Sequence, residues 1–332
     1  MADLGATLPG LYELNQLDRP DGDGFLKMIY SMTEMQDILK DMPFFQANDR
    51  TSHKYIRESK LASGTWVDFN DGISSSKGGM ITDRAEIGML ESRLTVDMRF
   101  ANFEPDFTAY VERLAHPHYI GLSNDMADAV VNGTTTGGYR FNSIEAHITD
   151  TSQTDQFGKS MCHTYGGSTT VTSILAIDWG QDKVYAVYPR GHKNNGVEKH
   201  EYDGDQLTTG NNSSEMRSYV CDFMWNMGLV IADDRCVRRI CNIEPVGSTY
   251  NPQDTNFDTD PIIDAIISMY NMGREAILYM NREVWGHLWK DVKSDATVNY
   301  TAQNPWQQPD YMFSGHRVRF SDSLLNSESQ VS

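Results

Sequence analysis

The spacing of apolar residues changes along the first third of the chain, which predicts a helix followed by a hairpin of strands. From Phe25 to Ile38 apolar residues recur every three or four positions, and Met42-Pro43 ends the predicted helix. From Thr51 to Phe100 they alternate weakly at every second position around a Ser/Gly-rich segment. Two arms of about 15 residues would each reach about 50 Å. Their low apolar content cannot support a core, so we expect the hairpin to lie on another surface.

A long helix and then four strands are predicted for the middle of the chain. The helix covers residues 104–132, and Pro117 is expected to kink or divide it. Residues 133–171 are rich in Gly, Thr, Ser and Asp, which is typical of irregular surface chain. Two short apolar strands follow on either side of Trp179-Gly180, and two longer ones on either side of Asp233-Asp234.

A helix–strand–helix unit and a last strand are predicted for the C-terminal part. Asp260 is expected to cap the first helix, with Pro261 at its first position. The apolar run at residues 276–280 predicts a buried strand, and Asn281 is expected to cap the second helix. The last strand is predicted within the run HRVRFSDSLL.

Composition and charge exclude several classes of protein. The 332 residues carry a formal net charge of −18, which argues against a nucleic-acid reader because such proteins need a basic surface. A container that encloses DNA without reading it is compatible with that charge. No apolar run approaches the ~20 residues of a membrane helix, and the N-terminus lacks the pattern of a signal peptide. The four cysteines have neither CxxC pairs nor zinc-ligand spacing, which favours folding in a reducing cytoplasm.

The sequence offers little catalytic chemistry. Cys162-His163 could supply a thiol nucleophile and its base, and a cytosolic hydrolase is the alternative that follows from it. Adjacent residues rarely face each other, however, and catalytic groups are normally assembled from distant segments. We therefore predict a protein that is not an enzyme and has no catalytic, cofactor-binding or metal-binding residues.

Five sequence blocks, in this order and with these spacers, resemble the major capsid proteins of short-tailed (podovirus-like) double-stranded-DNA bacteriophages, which have the HK97-like capsid fold. The blocks are MPFFQANDRTSHKYIRE with GTWVDFNDGISSSKG and EIGMLESRLTVD, residues 107–133, SILAIDWGQDKVYAVYPRG, MRSYVCDFMWNMGLVIADDRCVRRICNIE, and AILYMNREVW with SGHRVRFSD. The resemblance covers most of the chain, from about Met32 to Leu325.

The resemblance implies an α+β, HK97-like fold with peripheral and axial domains. The implied parts are an N-terminal arm (1–50), an extended β-hairpin loop (51–100), the spine helix of the peripheral domain (101–135), an irregular segment with axial-domain strands (136–215), peripheral-domain strands (216–248), and the remainder of the axial domain with the C-terminus (249–332). The helix–strand–helix unit follows the strand pair that it precedes in many capsid proteins of this fold. We therefore expect a permuted connectivity.

The implied function is self-assembly, as hexamers and pentamers, into the icosahedral head that encloses phage double-stranded DNA without sequence-specific binding. The expected location is the virion capsid, assembled in the cytoplasm of the bacterial host, with no membrane contact. The expected partners are a separate scaffolding protein, a portal protein and a cement (decoration) protein. An encapsulin-type compartment, which encloses cargo enzymes, is the alternative within the fold.

Charged side chains of the hairpin and of the Asp233-Asp234 turn are candidates for contacts between subunits. The candidates are Lys77, Arg84, Glu86, Arg235, Arg238 and Arg239. For the three arginines, ordinary surface charge within one subunit is an equal alternative. Lys77, near the predicted hairpin tip, could also form a covalent link to an asparagine of a neighbour, as in some capsids of this fold.

Overall fold

The computed structural model describes residues 36–99, 106–132, 140–167, 171–192, 194–210, 213–244, 259–294 and 312–332. Most of the helix predicted from Phe25, together with the polar connection that follows the last helix, lies outside these residues. The described end of that helix, α1 (Asp37–Asp41), stops at Met42 directly before Pro43, as predicted.

The first sheet has six strands and is organised around one long strand. Its members are β1 (Phe44–Gln46), β4 (Gly88–Asp97), β7 (Val184–Tyr188), β8 (Val197–Glu201), β9 (Gln206–Thr209) and β10 (Glu215–Ile231). The 17-residue β10 pairs with β4 along one edge, from Ser218 opposite Asp97 to Met227 opposite Gly88. Its last four paired residues lie beside β7, and β8 and β9 pair with residues between Glu215 and Trp225.

The second sheet also has six strands, in the order β13-β14-β12-β6-β11-β5. Its members are β5 (Cys162–Thr164), β6 (Thr172–Ile177), β11 (Val237–Ile243), β12 (Ile277–Met280), β13 (Met312–Phe313) and β14 (His316–Phe320). Every residue of β6 and of β11 is buried. Alternate residues of β6 enter different cores, because Leu175 and Ile177 pack in one cluster and Ile174 and Ala176 in the other.

The remaining strands, β2 (Ser52–Lys60) and β3 (Gly79–Glu86), form the predicted hairpin as a two-stranded sheet of their own. The strands have 9 and 8 residues, so each arm spans about 30 Å instead of the expected 50 Å. The second arm does not continue past Glu86. Beyond it, β4 joins the first sheet, because Leu94 and Val96 pack into the large core.

Three helices cover the sheets, and two of them begin or continue differently from the prediction. The long helix α2 (Phe107–Val131) is capped by Asp106, whose side chain accepts a hydrogen bond from the Ala109 amide. It is not divided at Pro117, because buried side chains before and after the proline hold both halves against the core. In α4 (Asp260–Ser268) the cap position belongs to Thr259, so Asp260 is already helical.

The C-terminal helix–strand–helix unit follows the prediction more closely. In α5 (Arg282–Ser294) the side chain of Asn281 accepts a hydrogen bond from the Glu283 amide at 3.0 Å, as a helix cap does. Between the two helices, β12 lies beside β6 in the second sheet. A further short helix, α3 (Ile144–His147), lies in the segment expected to be irregular.

The sheets separate strands that were predicted together. β6 and β7 were both placed in residues 136–215, and β10 and β11 in residues 216–248, yet each pair is split between the two sheets. The chain therefore crosses from one sheet to the other at Trp179-Gly180 and again at the Asp233-Asp234 turn.

Candidate assembly interface

The hairpin ends in a loop that no other described part of the chain covers. All residues from 61 to 78 are exposed, including the predicted tip residue Lys77. Three large apolar side chains stand out, since Trp66, Phe69 and Ile73 are 101%, 95% and 80% exposed. The hydroxyl of Ser76 donates a hydrogen bond of 2.6 Å to the Ser63 carbonyl and so closes the loop across its width. A closed loop with uncovered aromatic rings is suited to binding another surface.

Ion pairs fix the base of the hairpin to the body of the molecule. The Arg57 guanidinium lies 2.6 Å from carboxylates of both Asp83, on the partner strand, and Asp234, in the turn before β11. His147 on α3 lies 3.0 Å from the other oxygen of Asp234. Burial raises the pKa of Asp234, but the hydrogen bonds and charges of His147 and Arg57 outweigh it and hold that pKa below its usual value. Asp234 therefore carries a charge that holds the hairpin.

The same base also packs closely against the body of the molecule. The backbone of β10 passes so near that a Cβ on Gly228 would lie 2.5 Å from the Glu86 carbonyl oxygen. On the opposite strand the His53 ring packs edge-on against Tyr185 of β7, at 6.0 Å between ring centres. Burial raises the pKa of the neighbouring Tyr55 to about 12. The direction in which the hairpin projects is thus set by charge and by contact together.

Two of the predicted interface residues lie on the exposed side of the hairpin. Arg84 and Glu86 are two positions apart on β3 and both are exposed. Together with Tyr55, Ser143 and His147 they line a cavity of about 100 Å³ between the hairpin and α3. With Lys77 they are the members of the predicted set that are exposed.

The arginines of the Asp233-Asp234 turn divide into one half-buried and two buried residues. Arg235 donates hydrogen bonds to both carboxylate oxygens of Asp233, and its guanidinium lies over the rings of Phe157 and Tyr270, at 4.9 and 4.6 Å. Arg238 is 0% exposed and pairs with the buried Asp155 at 2.7 Å. Arg239 is 5% exposed.

Arg239 is held by two acidic side chains that lie far away in the sequence. Its guanidinium lies 3.1 Å from Glu145 and 3.0 Å from Glu328. Arg238 and Arg239 thus make their ion pairs inside the chain, and neither inter-subunit pairing nor ordinary surface charge fits them. Their partners are more than 80 residues away, so no local pattern could have revealed the pairing.

The alternative catalytic pair is not assembled. Cys162 and His163 are neighbours on a strand and therefore point to opposite faces. The Cys162 sulfur lies 2.9 Å from the Cys241 sulfur, whereas the His163 ring lies 3.3 Å from the Ser268 hydroxyl. Among the described residues, no group of three or more metal-ligating side chains comes together. In the described ranges, no helix has the length and apolar character to cross a bilayer.

Sequence reasoning did not single out the three large apolar residues of the loop. The signal was present, because Trp66, Phe69 and Ile73 interrupt a segment that is otherwise polar and rich in Gly and Ser. No helical or strand period places them in a core. Large apolar residues without such a period are a reason to expect an interface.

The fold of this chain is similar to that of phage capsid proteins of known structure. A chain of the bacteriophage Epsilon15 structure, from cryo-EM and modelling, is 22% identical with a TM-score of 0.67, over 100% of this chain and 99% of that one. The bacteriophage JBD30 capsid is 10% identical with a TM-score of 0.50, over 96% of both chains. The fold is therefore the HK97-like capsid fold. Among curated protein sequences, none matches this chain.

The family model described as Major capsid protein GP7 matches residues 20–332. This match favours a phage head over an encapsulin-type compartment or a hydrolase. The chain therefore belongs to the major capsid protein GP7 family, and it is a structural protein of the virion that forms the icosahedral shell of a bacteriophage head.

Proposed function

We propose that each copy of this capsid protein extends the loop of residues 61–78 over a neighbouring copy, and that these contacts join its hexamers and pentamers into the shell. The observation that carries the proposal is the exposure of Trp66, Phe69 and Ile73 on a hairpin whose base is fixed. Burying aromatic side chains of this size contributes about 1.5–3 kcal/mol each. Repeated in every copy, that contribution would offset part of the cost of association.

The geometry suits a contact between unlike surfaces. Rings of five and six copies require that one patch of a subunit meets a different patch of the next. The projecting hairpin is one such patch, and the surface of the neighbouring copy that receives it is the other. Lys77, Arg84, Glu86 and Arg235 are the charged residues that we propose to lie in these contacts. Each exposed ion pair would add only about 0–1 kcal/mol, so they would define register more than strength.

The proposed partners follow from the shell function. We propose a separate scaffolding protein, a portal protein and a cement protein on the outer surface, with assembly in the cytoplasm of the host. The net charge of −18 supports enclosure of DNA without sequence-specific contacts, since it repels the phosphate backbone. The role is structural, and we propose that the chain needs no catalytic residue for it.

The permuted connectivity is also a proposal. It is supported by β12, which lies beside β6 although the helix–strand–helix unit comes later in the chain. The test is to superpose this chain on a capsid protein in which that unit precedes the strand. Equivalent elements visited in a different order would support the proposal, and the same order would contradict it.

The loop contact is tested by replacing its apolar side chains. The variant Trp66→Ser/Phe69→Ser/Ile73→Ser should fold with the unfolding midpoint of the natural chain, because these side chains are at least 80% exposed in the described part of the subunit. It should fail to form shells in negative-stain images. The control variant Ser74→Ala/Ser75→Ala changes the same loop without removing apolar surface and should assemble normally. Shells of normal yield from the triple variant would contradict the proposed contact.

A further inference from the structure

Two cysteines that no proposed assembly contact uses lie side by side in the second sheet. Cys162 is the first residue of β5, at the edge of the sheet, and Cys241 lies on β11, the strand beside it. Their sulfur atoms are 2.9 Å apart, and the two residues are 3% and 0% exposed. Two sulfurs at this distance are closer than an ordinary contact between non-bonded atoms.

The backbone around the pair can accommodate the remaining movement. A disulfide bond is about 2.05 Å long, so the sulfurs would need to approach by about 0.9 Å. β5 has only 3 residues and pairs on one side only. The pairing of β11 with β6 is irregular between Ile240 and Ile243, next to Cys241. An edge strand beside an irregular ladder can shift by this amount without disturbing a regular sheet.

The surroundings prepare one of the two sulfurs for reaction. The hydrogen bond shared by the two sulfurs lowers the pKa of Cys241, and the positive charge of Arg239 acts in the same direction against the effect of burial. The same hydrogen bond raises the pKa of Cys162, because its proton is held between the two sulfurs. The thiolate is the reactive form of cysteine, so Cys241 is the nucleophile of the pair.

We propose that Cys162 and Cys241 are thiols while the shell assembles and form a disulfide within each subunit once the particle has left the cell. The host cytoplasm keeps thiols reduced, whereas disulfides persist on virions and in the extracellular medium. The oxidant we propose is a small peroxide, because both sulfurs are buried and a larger reagent could not reach them. The pair is therefore expected to be reduced inside the host cell and oxidised in the extracellular medium.

The chemistry balances with hydrogen peroxide as the oxidant. The Cys241 thiolate attacks one oxygen of the peroxide, which gives a sulfenic acid on Cys241 and releases hydroxide. The Cys162 sulfur then displaces the sulfenic hydroxyl and forms the S–S bond. The hydroxide released in the first step takes a proton from solvent, and the sulfenic hydroxyl takes the proton of Cys162, so that both leave as water. Two thiols are oxidised and one peroxide is reduced to two waters.

The other two cysteines provide a matched control in the same chain. Burial raises the pKa of Cys221 to about 11 and that of Cys236 to about 12, so both remain thiols. The structure pairs neither of them with another sulfur within the described residues. A general oxidation of the particle would affect all four cysteines, whereas the proposed reaction selects two.

The test uses intact particles from host lysate and the cysteine-to-alanine variants of the full chain. Particles are kept under a trialkylphosphine, left untreated, or exposed to hydrogen peroxide, and are then denatured in an alkylating reagent and digested without reductant. Mass spectrometry should find peptides joined through Cys162 and Cys241 in the untreated and peroxide samples and not under reductant. Cys236→Ala should keep the joined peptides, and Cys162→Ala and Cys241→Ala should lose them.

Two results would overturn the selective pairing of Cys162 with Cys241, and neither requires that a variant assembles. One is recovery of Cys162 and Cys241 as alkylated thiols from peroxide-treated natural particles. The other is a link that involves Cys221 or Cys236. Joined peptides that appear only after peroxide treatment would overturn the claim that the bond closes in released particles.

The disulfide would join residues 79 positions apart in the sequence, so oxidised subunits should unfold at higher denaturant concentration than reduced ones. Equal midpoints would contradict a stabilising role.

Discussion

Arg238 carries a charged guanidinium into the interior of the subunit, where every nitrogen of that group has a partner. It donates hydrogen bonds to the Asp155 carboxylate, to the hydroxyl and carbonyl of Ser268, and to the carbonyl oxygens of Val237 and Asp234. A buried charge is tolerated only when such partners replace water. The residue therefore joins the loop around Asp155, the turn before β11 and the end of α4.

Removing the carboxylate from this pair should destabilise the subunit strongly. Asp155→Ala leaves the Arg238 charge without its counter-ion, which typically costs 3–5 kcal/mol. The matched control is Asp322→Ala, because Asp322 pairs with Arg282 at 3.6 Å on the surface, where both side chains are more than half exposed. That variant should change the free energy of unfolding by less than about 1 kcal/mol. Urea unfolding measures both, and equal losses would contradict the buried role of Asp155.

The cluster of Glu145, Arg239 and Glu328 places two carboxyl groups around one guanidinium. Burial raises the pKa of Glu145 to about 7, against the attraction of Arg239 and with the added repulsion of Glu328. Glu328 belongs to the C-terminal segment, and its hydrogen bonds with Ser173 and Arg239 hold that segment on the second sheet. The protonation of Glu145 therefore affects how firmly the C-terminal segment is bound.

The stability of the subunit should fall with rising pH because of Glu145. A carboxyl group whose pKa is higher in the folded chain stabilises it at low pH. That contribution is lost as the pH rises from about 4.5 to about 7. The natural chain should lose of the order of 1–3 kcal/mol relative to Glu145→Gln over this range. Melting temperatures of the natural chain and of Glu145→Gln, measured across this pH range, give the difference. Glu91→Gln is the control, because Glu91 is exposed. A constant difference between Glu145→Gln and the natural chain would refute the assignment.

At the scale of elements, β10 determines where the hairpin can lie. Residues 218–227 of β10 pair with β4, and residues 228–231 pair with β7. At Gly228 the backbone of β10 also lies against Glu86, at the base of the hairpin. A side chain at that position would meet a backbone carbonyl, which cannot move aside as a flexible side chain can. Gly228 is thus the point at which the first sheet and the hairpin are held in register.

Gly228→Ala should displace the hairpin and lower stability. The added methyl group would lie 2.5 Å from the Glu86 carbonyl oxygen, and overpacking of this kind costs about 1–3 kcal/mol. Gly72→Ala in the loop is the control, since no atom lies within 4 Å of its added Cβ. Thermal unfolding should show the loss only for Gly228→Ala. Equal melting temperatures for the two variants would show that the base of the hairpin is not closely packed.

Local sequence patterns predicted the helices and strands well, but they did not predict which strands pair with each other in a sheet. The strands around Trp179-Gly180 and the cap at Asn281 follow from short-range spacing and chemistry, and both are present. The assignment of β6 and β7 to different sheets could not be predicted. β6 is apolar on both faces, so its sequence does not indicate which face meets which core.

The exposure of the candidate interface residues could be predicted in part, for similar reasons. Lys77, Arg84 and Glu86 are exposed because they lie on a hairpin whose polar composition is visible in the sequence. Arg238 and Arg239 look equally suited to a surface, yet their acidic partners come from distant segments. Only the tertiary structure shows which charges are paired inside the chain.

At the scale of the whole molecule, we propose that a neighbouring copy covers the exposed loop of each subunit. Residues 61–78 contain no strand or helix and make few contacts with their own subunit. Their amide hydrogens should therefore exchange quickly in the free subunit and at least tenfold more slowly in assembled particles. Hydrogen exchange with mass spectrometry measures both states, and β6 provides the control, because it is buried in each. Equal exchange of residues 61–78 in the two states would show that no neighbour covers them.

The most direct test of the account is a cryo-EM reconstruction of the particles formed by this chain. The account predicts a closed icosahedral shell of pentamers and hexamers in which residues 61–78 of each copy lie on a neighbouring copy, with Trp66 and Phe69 covered. A shell in which this loop folds back on its own subunit, or a preparation without closed shells, would contradict it.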